Sequence, residues 1–295
     1  MKLGFIGIGA MGSHMTVNLI NAGYDVTVFD IRKEAMEYIM QFGAKLGSSP
    51  SDVAKKSNII LTSLPSTNAL KDVVLGEQGM LESMKCGSIL IDTSTVSPST
   101  IQKIGLVLKE QKVSVLEAPV SGGVEGAEAG TLTIMVGGSV DVFQRCHELL
   151  QVIGKNIYHV GALGSGNTVK LVNNLMSLVN VVTLSEGMVL GVKAGVDAAT
   201  LYNVIKVSTG RSQALEWKLP NKILPRNFEP GFTIDLTYKD LSLVLSLAKE
   251  LGVPLFVTSI AQQVYALAKA KGLGKLDNTA VITLFEEGSK IIVAS

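Results

Sequence analysis

Lys2-Leu-Gly-Phe-Ile-Gly-Ile-Gly-Ala-Met-Gly12 is the stretch from which the fold of the first half is read. A short β-prone run, Lys2 to Ile8, enters Gly7-Ile-Gly9-Ala-Met-Gly12, and a helical pattern (Met15, Leu19, Ile20) follows before Ala22-Gly23. A second β-prone run, Asp25 to Phe29, ends in Asp30, 18 residues after Gly12. Strand, G-x-G-x-x-G, helix, strand and acid is the order a dinucleotide-binding βαβ unit requires. The first glycine permits a tight turn, the second lets a pyrophosphate approach the backbone, and the third lets helix pack on strand. Phosphate then meets the free N–H groups of a helix N-terminus. Asp30 can accept hydrogen bonds from a ribose 2′-hydroxyl and would repel a 2′-phosphate, so NAD is the expected cofactor. Arg32, two residues further, leaves NADP open. Gly7, Gly9, Ala10, Met11, Gly12, Asp30 and Arg32 form the expected cofactor set of this unit.

Further strands read at Asn58–Leu64, Ser88–Asp92, Val113–Ala118, Thr131–Gly137 and Ile157–Val160. Most are continuous apolar runs, as expected of strands covered on both faces. Helical patterns at Ile31–Phe42, Asn68–Val74, Pro98–Glu110 and Asp141–Ile153 separate them. The alternation predicts a doubly wound, mostly parallel sheet of Rossmann type over residues 1–162, with ligands at the C-terminal ends of its strands. Polar and small residues gather at those ends: Leu64-Pro65, Asp92-Thr-Ser-Thr95, and Ala118-Pro-Val-Ser-Gly-Gly123. Each alone reads equally well as an ordinary turn; three at equivalent ends of one sheet point to a site. Consecutive glycines expose backbone N–H groups, so Ser121, Gly122 and Gly123 suit a carboxylate, and the substrate is expected to be an acid.

Alternation stops after residue 160. Gly164 opens a Pro-free apolar segment to Ala194, and helical patterns follow at Asp197–Val207, Gln213–Ile223, Leu236–Leu251, Leu255–Lys271 and Asn278–Ile292. An all-α domain over 163–295, joined by a long helix, is therefore predicted. Gly187, Gly191 and Gly195, spaced by four, predict close approach of another helix. Lys170 and Asn174 stand at i and i+4 on the long helix and share a face. A lysine in so apolar a helix either snorkels outward or has a use. Tyr238-Lys239-Asp240 is likewise a solvated face, or a lysine that reaches the ligand.

Composition removes other classes. The 295 residues are 47% apolar and 5% aromatic with a formal charge of +1, which gives no electrostatic or stacking basis for nucleic acid. Cys86 and Cys146 lie in no redox or metal spacing, and His14, His147 and His159 form no ligand cluster, so no metal is expected. Asn173, Asn174, Asn180, Glu186 and Lys193 interrupt the long segment, so it is read as no membrane span. A cytoplasmic location is expected.

Taken together, Phe5-Ile-Gly-Ile-Gly-Ala-Met-Gly12 with Asn18-Leu19, Asp92-Thr-Ser-Thr95, Glu117-Ala-Pro-Val-Ser-Gly-Gly123 with Gly126-Ala127 and Gly130-Thr131, Gly164-Ser-Gly-Asn-Thr-Val-Lys-Leu-Val-Asn-Asn174 and Lys239-Asp-Leu241 resemble the β-hydroxyacid dehydrogenases, the family of 3-hydroxyisobutyrate dehydrogenase and tartronate semialdehyde reductase. The resemblance runs over essentially the whole length. It implies that Lys170 is the catalytic lysine with Asn174 beside it, and that Ser121, Gly122 and Gly123 hold the substrate. It also implies that Thr95 lies near the nicotinamide and that Lys239 contacts the cofactor, with Leu64 and Pro65 on the cofactor side. Glu117 departs from the Asp that many members carry, which conserves charge. Gly126-Ala-Glu-Ala-Gly130 and Ser208-Thr-Gly-Arg-Ser212 look similar to members acting on 2-(hydroxymethyl)glutarate, where Arg211 would meet a second carboxylate.

The expected reaction is reversible hydride transfer between a nicotinamide and the hydroxyl-bearing carbon of a short 3-hydroxy acid or semialdehyde, of the 3-hydroxyisobutyrate dehydrogenase type. An unperturbed lysine titrates near 10.4, so burial has to lower Lys170 for it to act as a base. Alternatives are a 2-(hydroxymethyl)glutarate dehydrogenase, a tartronate or succinic semialdehyde (glyoxylate) reductase, and an inactive nucleotide-binding scaffold. The lysine counts against the scaffold and against imine-reducing relatives, which tend to lack it. The apolar helical domain predicts a homodimer or homotetramer.

Overall fold

The structure, a computed structural model, describes residues 1–294. The chain runs β1 (Lys2–Ile6), α1 (Ala10–Asn21), β2 (Asp25–Phe29), α2 (Lys33–Met40), β3 (Lys45–Leu46), α3 (Pro50–Lys56), β4 (Ile59–Thr62), α4 (Thr67–Leu75), β5 (Ile89–Asp92) and α5 (Pro98–Glu110). It continues with β6 (Ser114–Glu117), β7 (Val120–Ser121), α6 (Gly123–Glu128), β8 (Leu132–Gly138), α7 (Val140–Ile153), β9 (Gly154–Gly161) and α8 (Ser165–Lys193). After α8 come α9 (Ala198–Ile205), a π-helix (Ala214–Ile223), α10 (Ile234–Leu251), α11 (Phe256–Ala270), a 3-10 turn (Asn278–Val281) and α12 (Ile282–Ser289).

The strands form one sheet in the order β3-β2-β1-β4-β5-β6-β8-β7, with β9 paired to β8. The first six positions are parallel and doubly wound, while β8 runs antiparallel to β6 and β7. Side chains alternate across the strands. Leu3, Phe5, Val26, Val28, Leu61 and Ile91 therefore join one core with Met15 and Leu19 of α1 and Leu150 of α7. Ile6, Ile60 and Leu90 face the opposite way, against Val53 of α3, Leu70 of α4 and Ile104 of α5. Burial on both faces is why these strands read as unbroken apolar runs.

Contacts divide the chain into two compact units, Met1–Lys170 and Leu171–Ser295. The first turns of α8 go with the sheet because Gly164, Gly166 and Asn167 donate to Glu117 at the end of β6. The second unit is helical and packs around Tyr265, which is fully buried and donates from its hydroxyl to the Leu178 carbonyl at 3.0 Å. A polar knot lies inside it. Asp277 accepts from the N–H groups of Gly231, Phe232 and Thr279 and from the Thr279 hydroxyl, and the Lys218 ammonium stands 3.9 Å away. Lys218 also donates to Asn278, and burial pushes its ammonium below the usual lysine range.

Several sequence expectations need correction. The first strand stops at Ile6 because Gly7, at φ +94°, turns the chain away. Helix α2 is shorter than Ile31–Phe42, and the short elements β3, α3, β7 and α6 were not anticipated. Gln213–Ile223 forms a π-helix rather than an α-helix, with Pro220 inside it. The last helical segment begins as a 3-10 turn and ends at Ser289, before Lys290, whose φ of +53° is left-handed. Of the three spaced glycines only Gly191 meets a neighbour closely, since a Cβ there would lie 2.5 Å from Leu201. By length and hydropathy α8 could cross a membrane; Leu178, Val181 and Met188 instead enter the helical core, where the buried Ser185 bonds back to the Val181 carbonyl.

Candidate active site

The turn after β1 is shaped by two glycines. A Cβ on Gly7 would collide with the Ser63 carbonyl, and one on Gly12 with the Gly7 carbonyl, so strand, turn and helix close only without side chains. Gly9 supplies no side-chain cap to α1, which leaves the first-turn N–H groups of that helix for an anion. At the end of β2, Asp30 accepts the Ile8 N–H at 2.7 Å and the Arg32 N–H at 2.9 Å. The Arg32 guanidinium lies against the same carboxylate at 3.2 Å and donates to the Ile8 carbonyl at 2.9 Å. A cavity of about 350 Å³ lined by Ile8, Gly9, Ser13, Arg32, Ala35 and Tyr38 adjoins them. An uncapped helix N-terminus, a strand-end acid and a cavity between them fit the pyrophosphate and adenosine portion of a dinucleotide.

At the end of β5, Asp92 is fully buried. Its Oδ1 accepts from the Thr62 hydroxyl (2.7 Å) and the Ser94 hydroxyl (2.6 Å), and the Ser94 oxygen accepts the Leu64 N–H at 2.8 Å. Burial, with a smaller push from the negative charge of Glu117, raises the Asp92 carboxyl to about 6. This network joins the Leu64-Pro65 turn to the loop that carries Thr95. Leu64 and Thr95 are half-buried, whereas Pro65 is exposed.

Ser121 ends β7 in register with Thr133 of β8. Gly122 follows at φ +136°, a conformation that favours glycine, and Gly123 starts α6. Ser121 is half-buried and both glycines are exposed, so the expected carboxylate loop lies at the surface of its unit.

Lys170 and Asn174 are buried at 9% and 6% exposure, one helical turn apart on α8. Burial excludes the reading of Lys170 as a freely snorkelling side chain. Asn174 donates from Nδ2 to Asp240 Oδ2 at 2.6 Å and accepts from Asn173 Nδ2 at 3.1 Å. Asp240 is 1% exposed and also pairs with the Lys239 ammonium at 2.8 Å. The Tyr238-Lys239-Asp240 cluster is therefore no solvated face. Asp240 went unrecognised in the sequence because its partner lies 66 residues away. Arg211 is exposed in the segment between α9 and the π-helix.

Two family models match the chain. One, the NAD binding domain of 6-phosphogluconate dehydrogenase, covers residues 2–161; the other, described as NAD-binding of NADP-dependent 3-hydroxyisobutyrate dehydrogenase, covers 164–285. A 2-(hydroxymethyl)glutarate dehydrogenase of Eubacterium barkeri is 44% identical over 294 residues, covering 100% of this chain and 98% of its own. A probable mitochondrial 3-hydroxyisobutyrate dehydrogenase of Dictyostelium discoideum is 38% identical, covering 98% and 92%. Among solved structures, the 3-hydroxyisobutyrate dehydrogenase of Mycobacterium tuberculosis with L-serine superposes with a TM-score of 0.88 at 30% identity, covering 96% of this chain and 98% of its own.

Proposed function

The chain belongs to the β-hydroxyacid dehydrogenase family and is an NAD(P)-dependent oxidoreductase acting on a hydroxy acid, and on that premise we propose that Lys170 is its acid–base group and a short 3-hydroxy acid its substrate. The observation that carries this reading is the buried lysine one turn from an asparagine whose amide is already oriented. Because Asn174 commits its Nδ2 to Asp240, it offers a carbonyl oxygen, with a lone pair beyond the one used by Asn173, to a substrate hydroxyl. Ser121 and the N–H groups of Gly122 and Gly123 hold the substrate carboxylate. Lys170 takes the hydroxyl proton during oxidation and returns it during reduction. The nicotinamide cofactor, when bound, supplies the hydride acceptor. Leu64, Pro65, Thr95 and Lys239 contact it, and Gly7, Gly9, Ala10, Met11 and Gly12 line its phosphates. Asp30 favours NAD over NADP, since a 2′-phosphate would face a carboxylate that is already in place.

A second reading narrows the substrate. The 44% identity to a 2-(hydroxymethyl)glutarate dehydrogenase supports a dicarboxylic hydroxy acid, with Arg211 as the counter-charge for its second carboxylate. The exposed apolar stripe Phe256, Ile260 and Leu267 on α11 supports assembly as a homodimer or homotetramer, and the two free cysteines fit the cytoplasm.

Lys170→Ala is expected to lower turnover by about a hundred- to ten-thousand-fold while NAD still binds; retained turnover would sink the assignment. Initial rates on 3-hydroxyisobutyrate, 2-(hydroxymethyl)glutarate, glycerate and 4-hydroxybutyrate with NAD and with NADP decide substrate and cofactor.

A further inference from the structure

Glu117 ends β6 with no solvent exposure, opposite Asp92 of β5 and Gly137 of β8. All four of its hydrogen-bond donors belong to the start of α8. The N–H groups of Gly164 and Gly166 donate to Oε1, the latter at 2.8 Å; the backbone N–H and side-chain Nδ2 of Asn167 donate to Oε2 at 3.1 and 2.7 Å. Asn167 spends its remaining amide atom, Oδ1, on the N–H of Val96 at 2.9 Å, directly after Thr95. The surroundings are cut to this carboxylate. A Cβ on Gly137 would occupy the place of Glu117 Oε1, and one on Gly166 would lie 2.5 Å from the Met135 carbonyl and 3.1 Å from Glu117 Cγ.

Along α8, Asn167, Lys170 and Asn174 follow at i, i+3 and i+7, so they form one stripe of the helix. All three are buried, at 0%, 9% and 6% exposure. A helix held by a charge at its N-terminus is fixed in height and in rotation about its axis, and both settings pass directly to a side chain one turn further on. Displacing a catalytic group by about 1 Å can cost about a hundredfold in rate.

We infer that Glu117 is a positioning residue for the reaction: through Asn167 and the first turn of α8 it sets where Lys170 stands relative to the Thr95 loop. The inference rests on the assignment of Lys170 as the acid–base group. Glu117 touches neither substrate nor cofactor. It acts through the helix, and the length of its side chain is part of the fit. An aspartate would fall about 1.5 Å short, so that the helix start would have to move toward β6 or give up donors.

The test compares E117Q, E117D, N167D and the double variant E117Q/N167D with the parent and with K170A. In N167D a second carboxylate faces Glu117; in the double variant the donor and acceptor of the side-chain bond exchange places and Oδ1 of residue 167 still meets Val96, while the N–H of residue 167 loses its acceptor in both variants that carry E117Q. Expected are a kcat about 10- to 100-fold lower for E117Q and N167D, a smaller loss for E117D, and an NAD Kd within about threefold of the parent. The double variant recovers at least about tenfold over the slower single one. Hydrogen exchange without cofactor shows faster exchange at residues 164–167 in E117Q. Parental kcat in E117Q and E117D, or a double variant as slow as the product of the two singles, overturns the inference. If K170A itself keeps its turnover, the acid–base assignment falls first and this inference with it.

Discussion

Glu117, at the end of β6, and Asp277, ahead of the 3-10 turn in the helical unit, are both buried, and each accepts from four donors. Their acidities nevertheless move in opposite directions. Burial pushes the Glu117 carboxyl above the usual range, and the N–H donors from Asn167, Gly166 and Gly164 only partly offset it. Burial also pushes Asp277 upward, but the Lys218 charge, with the N–H groups of Phe232 and Thr279, brings it below the ordinary value. Donors satisfy lone pairs; in this molecule it takes a facing ammonium to turn the sign. The stability each carboxylate contributes therefore responds oppositely to pH. The Glu117 contribution is present below the ordinary glutamate range and lost as pH rises through its native pKa, whereas that of Asp277 is present above the ordinary aspartate range and lost as pH falls through its native pKa.

Removing the cation breaks this contrast most severely. Lys218→Met leaves Asp277 buried without its ammonium, and chemical denaturation is expected to show a loss of about 3–5 kcal/mol at neutral pH. The variant should also lose stability on raising the pH through the acid range, where the parent gains it from this group. Unchanged stability at neutral pH would refute the role given to Lys218.

Asp92, in register with Glu117, is raised by burial and by the negative charge of Glu117, and no ammonium is among the causes that lower it. With a native pKa of about 6 against an ordinary 3.8, its contribution is fully present below pH 3.8 and lost as pH rises through 6. That difference corresponds to at most about 3 kcal/mol at neutral pH. Asp92→Asn keeps an acceptor for Thr62 and Ser94 and removes the charge, so its stability curve should be flatter than the parent's between pH 4 and 6. A curve parallel to the parent's would mean that Asp92 is not the group responsible.

Thr279→Val is the finest cut. It deletes one of the four bonds to Asp277 while Lys218 stays, and should cost about 1.5 kcal/mol without reversing the acid-range slope. A reversed slope would show that bond count, not the facing charge, sets the sign.

Much of the first unit was legible because its signals are local. Pro98 at the first helical position marks the start of α5, and the left-handed Lys112, at φ +57°, follows its end. The helix at Pro50 was missed although Ser49, Pro50 and Asp52 form a start signal, and Ser49 does cap the Asp52 N–H. Strands of two residues, such as Lys45–Leu46, carry no periodicity to detect. The π-helix keeps an ordinary apolar pattern in sequence and departs from it only in hydrogen bonding. In the site, Lys170 and Asn174 stood out as neighbours on one helix. What orients them did not, because Asp240 and Glu117 are 66 and about 50 residues from their amide partners. In sequence Glu117 is a charge-conserving departure from Asp, and nothing local announces the four hydrogen bonds it accepts at the start of α8.

The cap on α8 also orders events during synthesis. Among the described residues, Val96 and Glu117, which bond to the start of this helix, precede it in the chain. As the nascent polypeptide leaves the ribosome, these partners are already outside when Gly164 to Asn167 emerge. The first unit ends at Lys170, so the lysine emerges after the residues that hold the start of its helix.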